Sequence, residues 1–336
     1  MSDLLPSIRR FDRTEIPDDV WETLRDNAAR ANVILPHAKK VFDDQDSLPG
    51  SEQLWLVYSK PGTSNIKLIL SCTEGPQGKY PIFIVPTAPI AELTPELLQS
   101  AMEAFCKALL DGAHSRKQRV FSVFSVKPVA EAFASAWKTL TQINCIPKPY
   151  YDAIFMTCSR ETLIRAAPPT EDEVIELRRA ISQDADKIAV LCEKFPGLRY
   201  DPFVLTPEQA SQEAALLIDN NQAWVYEVRE SNDETDIASI VAVTRDSTTV
   251  AAITKVYTPD IWRGKGRAER LVRRVCRELL KTHEQVVLYV GVDNHAKKVY
   301  DRVGFQGLSE GFPTIDGAEH WVEIGFDRAE VTLGHW

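Results

Sequence analysis

Between Val250 and Phe305 the chain runs VAAITKVYTPDIWRGKGRAERLVRRVCRELL and then, from Val286, VVLYVGVDNHAKKVYDRVGF. The first stretch opens with β-branched and small apolar residues, as a strand does. It then passes through a turn with two glycines and three cations, and ends in a segment whose apolar residues recur at helical spacing. Leu271, Val272, Val275, Leu279 and Leu280 form the apolar stripe, and Arg270, Arg273, Arg274 and Arg277 the polar side. The second stretch gives another strand and a short helix carrying Tyr300. A strand, a glycine turn, a basic helix, a second strand and a tyrosine helix in that order are expected within a mixed α+β domain.

The turn Arg263-Gly264-Lys265-Gly266-Arg267-Ala268 has what an anionic group needs. Unpaired N–H groups converge at a helix N-terminus, where the dipole adds about half a positive charge. Gly264 and Gly266 let the backbone approach without a Cβ in the way, and Arg263, Lys265 and Arg267 add charge. Most charge runs are solvated faces; here glycines, cations and a preceding strand coincide, which points to a phosphate clamp. Two other phosphate motifs fail. In the P-loop pattern Gly-Lys is followed by Ser or Thr, whereas Gly264-Lys265 is followed by Gly266. The dinucleotide fingerprint needs glycine where Glu269 stands.

At 336 residues, two domains are the expectation. The run Arg165 to Glu173, RAAPPTEDE, reads as the boundary, giving domains 1–165 and 166–336. Asn232 to Asp236 reads as a polar hairpin loop. In the second domain IELRRAI (175–181) is expected as a strand and SQDADKIAVLCEKF as a capped helix. Thr206, Pro207 and Gln209 open a further helix. The strands AWVYEVR, DIASIVAVTR and TVAAITKVYT follow, then a helix from Arg267 to Lys281, the strand VVLYVGV, a helix from Asn294 to Val303 and the strand HWVEIGF. The first half repeats this order: LWLVYS, IKLILSCT and YPIFIVPT as strands, TPELLQSAMEAFCKALL as helix, VFSVFSV as strand and PVAEAFASAWKTL as helix. YYDAIFMTC is expected to close the first half as HWVEIGF closes the second. After its third strand the first half has Thr87-Ala88-Pro89-Ile90-Ala91-Glu92, without glycine or cation, so only the second half is equipped to hold a phosphate.

The formal charge of −9 argues against nucleic-acid binding and favours a cationic substrate. Six scattered cysteines, five of them among apolar residues, fit reduced thiols in a cytosol and show no metal-ligand spacing. No apolar run reaches the length of a membrane span, and the polar, acidic start lacks a leader's apolar stretch. A soluble cytoplasmic protein without metal is expected.

Arg263-Gly264-Lys265-Gly266-Arg267-Ala268 resembles the Q/R-x-x-G-x-G/A signature of the GCN5-related N-acetyltransferase (GNAT) superfamily. It is preceded by the Val-Tyr-Thr-Pro segment common in that superfamily. Ala296 to Phe305 is similar to its A-x-x-x-Y-x-x-x-G-F signature. The resemblance covers about Glu176 to Phe326, and the first half resembles the degenerate partner of tandem members. It implies two GNAT-like mixed sheet and helix domains in tandem, the N-terminal one without a coenzyme A motif. It also implies acetyl-CoA as co-substrate. The segment Val256-Tyr257-Thr258 would lie along the pantetheine arm, with backbone groups of Val256 and Thr258 pairing to it. The amides from Gly264 to Ala268 would take the pyrophosphate, Asn294 would touch the cofactor arm, and Tyr300 would protonate the departing thiolate. The family often has asparagine where Asp293 stands, one position before Asn294.

Acylation of an amine by a thioester requires amine deprotonation, oxyanion stabilisation and a proton for the leaving thiolate. Direct attack needs no covalent enzyme intermediate, so the lack of a Ser/His/Asp pattern is no objection. The strand of VAAITKVYT lacks the glutamate that relatives often carry, and Lys255 and Thr254 are poor substitutes. Glu319, His320, Glu323, Glu227 or a water relay are the candidates for the base, His320 being basic enough near neutrality. The expected function is acetylation of a primary amine on a small molecule, polyamine or amino-acid-like. The alternatives are a protein lysine or N-terminus, or a non-catalytic acyl-CoA sensor. An internal pseudo-dimer makes a monomer or weak homodimer the expected state.

Overall fold

The computed structural model describes residues 8–11, 16–43, 53–60, 62–75, 78–111, 116–165, 175–195, 203–229, 234–307 and 319–334. The expected boundary at 166–173, residues 232 and 233 of the polar loop, and the last two residues lie outside this set. Contacts divide the chain into two compact units, Met1–Ala153 with His320–Trp336, and Ile154–Glu319.

Unit 1 runs β1 (Ile8–Phe11), α1 (Asp18–Asp26), α2 (Ala28–Ala31), α3 (Leu35–Asp43), β2 (Gln53–Ser59), β3 (Ile66–Gly75), β4 (Gly78–Lys79), β5 (Ile82–Pro86), α4 (Pro95–Leu110), β6 (Ser122–Val126), α5 (Lys127–Thr141) and the start of β7 (Tyr151–Ser159). Unit 2 takes the rest of β7, then β8 (Ile175–Arg179), α6 (Ala185–Lys194), α7 (Pro207–Asp219), β9 (Ala223–Arg229), β10 (Thr235–Asp246), β11 (Val250–Tyr257), α8 (Arg267–Leu279), β12 (Gln285–Gly291) and α9 (Lys297–Val303). The last strand, β13 (Glu319–Gly325), lies in unit 1 from His320 onward.

The two units share one topology. Unit 1 orders its strands β1-β2-β3-β5-β6-β13 and unit 2 orders them β8-β9-β10-β11-β12-β7. In each, the first four strands pair antiparallel, and the fourth and fifth pair parallel across a helix. The repeat expected from element order is therefore present, with its closing strands exchanged. YYDAIFMTC does not close the first half: from Ile154 it belongs to unit 2, where Thr157 bridges Gln306. HWVEIGF closes unit 1, with Trp321 opposite Val126 and Gly325 opposite Ser122 on β6. By contacts, the units part inside β7 and at the start of β13. A strand belongs to the sheet that satisfies its backbone N–H and C=O groups, and that choice is invisible in the strand's own residues.

In unit 2 the sheet is covered on both faces. Leu271, Val272, Val275, Cys276 and Leu279 of α8 pack with Tyr226, Val241, Val243, Ala251 and Ile253. On the other face Ile188, Leu191, Ala214 and Leu217 of α6 and α7 pack with Val225, Ile240 and Ala242. Val241 and Val243 against Ile240 and Ala242 show the two-residue alternation of a strand. Helix α7 starts as read: Thr206 Oγ1 accepts from the Gln209 amide at 3.3 Å, and Gln209 Oε1 accepts from the Thr206 amide at 2.9 Å. Five cysteines are buried and Cys145 is half-buried. Among the described residues no helix is long and apolar enough to cross a membrane.

The alternation breaks where β10 meets β11. Lys255 lies opposite Ala242 and Ile253 opposite Val243, so Thr254 is skipped; Thr244 is skipped on β10 in turn. Such bulges shift the facing of every residue beyond them. Before the bulge Ala251 and Ile253 face α8, and after it Val256 does, while Tyr257 packs on the α6/α7 side. The two bulged hydroxyls meet, Thr244 Oγ1 donating to Thr254 Oγ1 at 2.9 Å.

Gly304 caps α9 at φ +112°, and a Cβ there would stand 2.0 Å from the Thr162 carbonyl oxygen. Gly304→Ala is expected to destabilise the protein by about 1–3 kcal/mol through backbone strain alone, with the clash adding to it. A urea unfolding midpoint equal to wild type would show that this close approach is not a constraint.

Candidate functional site

Strand β11 pairs with β12 only from Val250↔Gln285 to Ile253↔Leu288. Beyond Ile253, at the bulge, the two strands part while β11 continues along β10 as far as Tyr257↔Ile240. The carbonyl of Tyr257 accepts from Ser239 Oγ of β10 at 3.1 Å. Successive residues of a strand turn their backbone groups to opposite edges, so the N–H and C=O of Val256 point to the edge that β12 has left. An extended chain with amide groups can be added there as a short strand. The Thr258 carbonyl accepts from Arg263 Nε at 2.9 Å, and its hydroxyl donates to Ser239 Oγ at 2.9 Å.

The chain then makes a 3-10 turn at Asp260–Trp262 and reaches α8 through Gly264 at φ +80° and Gly266 at φ +71°. Gly266 is the N-cap residue and offers no side chain, so α8 begins without a side-chain cap. The first N–H groups of a helix have no carbonyl within it, and Gly266 has no side chain with which to cap one. A Cβ on Gly264 would meet nothing within 4 Å, so the turn is open on that side. Arg263 and Lys265 are exposed, with Arg263 in a 2.5 Å pair with Asp260.

The other cations of this region are largely structural. Arg267 is buried, donates to the Trp262 carbonyl at 3.3 Å and stacks 4.9 Å from the Trp262 ring. Arg270 bonds the Lys265 carbonyl and lies 5.7 Å from the Tyr226 ring. Arg273 is buried and donates to the carbonyls of Ile164 at 3.1 Å and Arg302 at 2.7 Å, and to Glu269 at 2.8 Å. Arg274 pairs with Glu278. Much of the basic side of α8 therefore binds the helix to its surroundings, and the exposed cations Arg263 and Lys265 lie at the turn beside the helix's first amides. Ala268 in the first turn is half-buried and adds an amide with no bulk.

Tyr300 lies on α9, 7% exposed, packed in the cluster that α8 covers, with its ring edge-on to Phe305 at 5.8 Å. Asn294 sits in the turn before α9, where its Oδ1 accepts from the Ala296 amide at 2.9 Å. That oxygen is spent on starting the helix, and the side-chain NH2 remains as a donor. The described helix α9 accordingly begins at Lys297, later than the Asn294 expected.

Among the candidates for a base, Glu227 accepts from Arg178 Nε at 2.9 Å, and that bond holds its carboxyl below the usual range, which weakens it as a base. Glu323 is buried and accepts from Ser122 Oγ at 2.7 Å. Glu319 is buried at the first position of β13. His320 belongs to unit 1, its Nε2 paired with Asp152 Oδ1. Unit 2 holds Val256, Tyr257, Thr258, Arg263 to Ala268, Asn294, Tyr300 and Glu319, and His320 lies in unit 1. Sequence reasoning missed the Asp152 partner of His320, 168 positions away, and a close pair between Lys255 and Glu213 at 2.7 Å. Nothing in the local pattern of either pair announces it.

Unit 1 shows the same framework with the site filled by its own groups. Helix α4 is capped by Thr94, whose Oγ1 accepts from the Leu97 amide at 3.3 Å, with Pro95 and Glu96 in its first turn. Arg30 takes the Ala88 carbonyl at 3.0 Å. Ser125 Oγ of β6 donates to the Ile84 carbonyl of β5 at 2.6 Å, across the place where the register between these strands has run out.

The family model for the acetyltransferase (GNAT) domain matches residues 202–313. No curated protein matches the sequence significantly. A GCN5-related N-acetyltransferase from Sphaerobacter thermophilus is similar in structure, with a TM-score of 0.55 at 16% identity, over 99% of this chain and 100% of that one. A Drosophila protein is similar with a TM-score of 0.60 at 12% identity, over 95% and 98% of the two chains. At such identities the likeness concerns the fold, and it extends over both units.

Glu269 ties α8 to α9 through Arg273 and through Arg302 at 2.6 Å. Burial raises the pKa of its carboxyl, and the two guanidinium bonds outweigh that and hold it below the usual range. A depressed folded-state value means that the stabilisation is present above the unfolded value, about 4.3. It is lost as pH falls through the folded one. Thermal melts from pH 7 to pH 3 are expected to fall less steeply below about pH 4.3 for Glu269→Gln than for wild type; parallel curves would discount this tie.

Proposed function

We propose, from the match of residues 202–313 to the acetyltransferase (GNAT) domain model, that this protein moves the acetyl group of acetyl-CoA directly onto a primary amine of a small molecule. The observation that carries this reading is the coincidence, within one unit, of two features. Strands β11 and β12 part at the bulge, and the glycine-lined, uncapped start of α8 follows directly.

The chain's residues divide the work accordingly. The amides from Gly264 to Ala268 take the pyrophosphate, aided by the dipole of a helix 13 residues long and by exposed Lys265. Backbone groups of Val256 pair with the pantetheine arm, and the Asn294 NH2 offers it a further donor. Tyr300 donates its phenolic proton to the sulfur as the C–S bond breaks; its buried position among apolar residues limits competition from water. The amine nitrogen forms the new C–N bond and loses a proton, so that two protons move in each turnover and no covalent enzyme intermediate is needed. Unit 1 holds the same strands and helices with its clamp position closed, and contributes no second coenzyme site in this reading.

Acetyl-CoA at about a hundred times its dissociation constant is expected to stabilise the protein by roughly 2.7 kcal/mol, read as a rise in melting temperature. The double substitution Gly264→Glu/Gly266→Glu should abolish that rise, since it puts two carboxylates where the phosphates bind. No rise with the native chain would sink the acetyltransferase reading. Tyr300→Phe is expected to keep the rise and to lower kcat by about a hundredfold or more. Unchanged turnover would remove Tyr300 from the chemistry, and binding without turnover in the native chain would favour an acyl-CoA sensor.

A further inference from the structure

The bulge at Thr254 turns Lys255 onto the α6/α7 side of the sheet, where its Nζ meets Glu213 Oε2 of α7 at 2.7 Å. The pair is well buried: Lys255 is 8% exposed and the Glu213 side chain 20%. The ammonium also lies 4.9 Å from the centre of the Phe195 ring. Cys192 stands against both partners, its thiol pushed up to about 12 chiefly by burial, so it remains neutral.

An ammonium has three N–H donors and a carboxylate two acceptor oxygens. Among the described residues Glu213 is the one oxygen partner of Lys255 Nζ, and a thiol is a weak acceptor. Each partner therefore has hydrogen-bonding capacity beyond the one bond between them. The position is also distinctive, because Lys255 directly precedes Val256, whose backbone faces the gap between β11 and β12.

Resting on the acetyltransferase reading, we propose that the Lys255–Glu213 pair is an acceptor subsite that selects a zwitterionic amino acid. The acceptor carboxylate accepts from a spare N–H of Lys255, and its ammonium donates to the spare oxygen of Glu213. An ion pair is best complemented by a second ion pair laid antiparallel to it, and a free amino acid carries such a pair on one carbon. A polyamine ammonium would match Glu213 alone and bring nothing for Lys255 to donate to, so it complements only half of the pair.

The test follows thiol release from acetyl-CoA by the full chain, with the common L-amino acids as probes beside L-alaninamide, L-lysinamide and spermidine. At least one amino acid should be turned over, with kcat/KM at least about tenfold above its matched amide, the scale of one hydrogen bond to a charged group. Lys255→Met should raise KM for that amino acid by about tenfold or more and erase the preference, leaving the acetyl-CoA melting shift intact. Lys255→Arg should retain the preference. The subsite is overturned if spermidine or the amides serve as well as the amino acids. It is equally overturned if no amino acid is turned over while acetyl-CoA still raises the melting temperature. If Lys255→Met does not fold, the comparison of acid with amide in the native chain decides alone. Loss of the acetyl-CoA shift in the native chain defeats instead the reading on which the subsite rests.

Discussion

A two-residue irregularity between β10 and β11 governs the rest of unit 2. By skipping Thr254 and Thr244, the register resets which side chains of β11 face α8 and which face α6 and α7. The same point ends the parallel pairing with β12 at Ile253↔Leu288. A parallel pair that ended without the bulge would leave Val256 on the wrong face of the strand and Lys255 in the core beneath α8. With the bulge, apolar Val256 packs under α8, its backbone edge is left for another extended chain, and Lys255 meets Glu213. Bulges commonly re-aim side chains or end pairing within a sheet in this way.

The charge of α8 illustrates how burial divides one sequence feature into two roles. Seven cations lie between Arg263 and Arg277, and as a string they look like a single anionic-ligand surface. In the fold, Arg267 and Arg273 are buried and spent on carbonyls, an aromatic ring and Glu269. A buried guanidinium has five donors to place, and Arg273 places its own on the carbonyls of Ile164 and Arg302 and on the Glu269 carboxylate. What the turn leaves open is a helix start without a side-chain cap, reached through two residues at positive φ, beside exposed Arg263 and Lys265. Unit 1 supports this division by contrast. It keeps the strands and the helix, yet Thr94 caps the helix, Ser125 spans β5 and β6, and Arg30 holds the Ala88 carbonyl. Filling a few hydrogen-bond positions is enough to close a site without changing a fold.

Exchange of the closing strands makes each unit depend on a segment distant in the chain. Unit 1 needs β13 from the C-terminal end, and unit 2 needs β7, which precedes its other strands. Neither half as drawn along the sequence contains its own complete sheet. Duplicated folds can take this arrangement because equivalent strands offer equivalent edges, so that either copy's closing strand fits either sheet.

The sequence alone determined most of what is local. The period of α8, the cap at Thr206, the strand runs from Ala223 to Tyr257 and the glycine turn at Gly264 and Gly266 are set by spacing and side-chain type, and all are present. The repeat of element order was legible for the same reason, since each element carries its own period. Tertiary structure decided what depends on partners far apart in the chain. Which sheet claims β7 and β13 is settled by backbone hydrogen bonding that any strand offers equally. Whether an arginine meets solvent or a carbonyl is settled by burial, and whether His320 meets Asp152 or Lys255 meets Glu213 by the folding of strands and helices onto one another. A charged residue bears no local mark of its partner, because the attraction between two charges depends on their separation in space and on the medium between them.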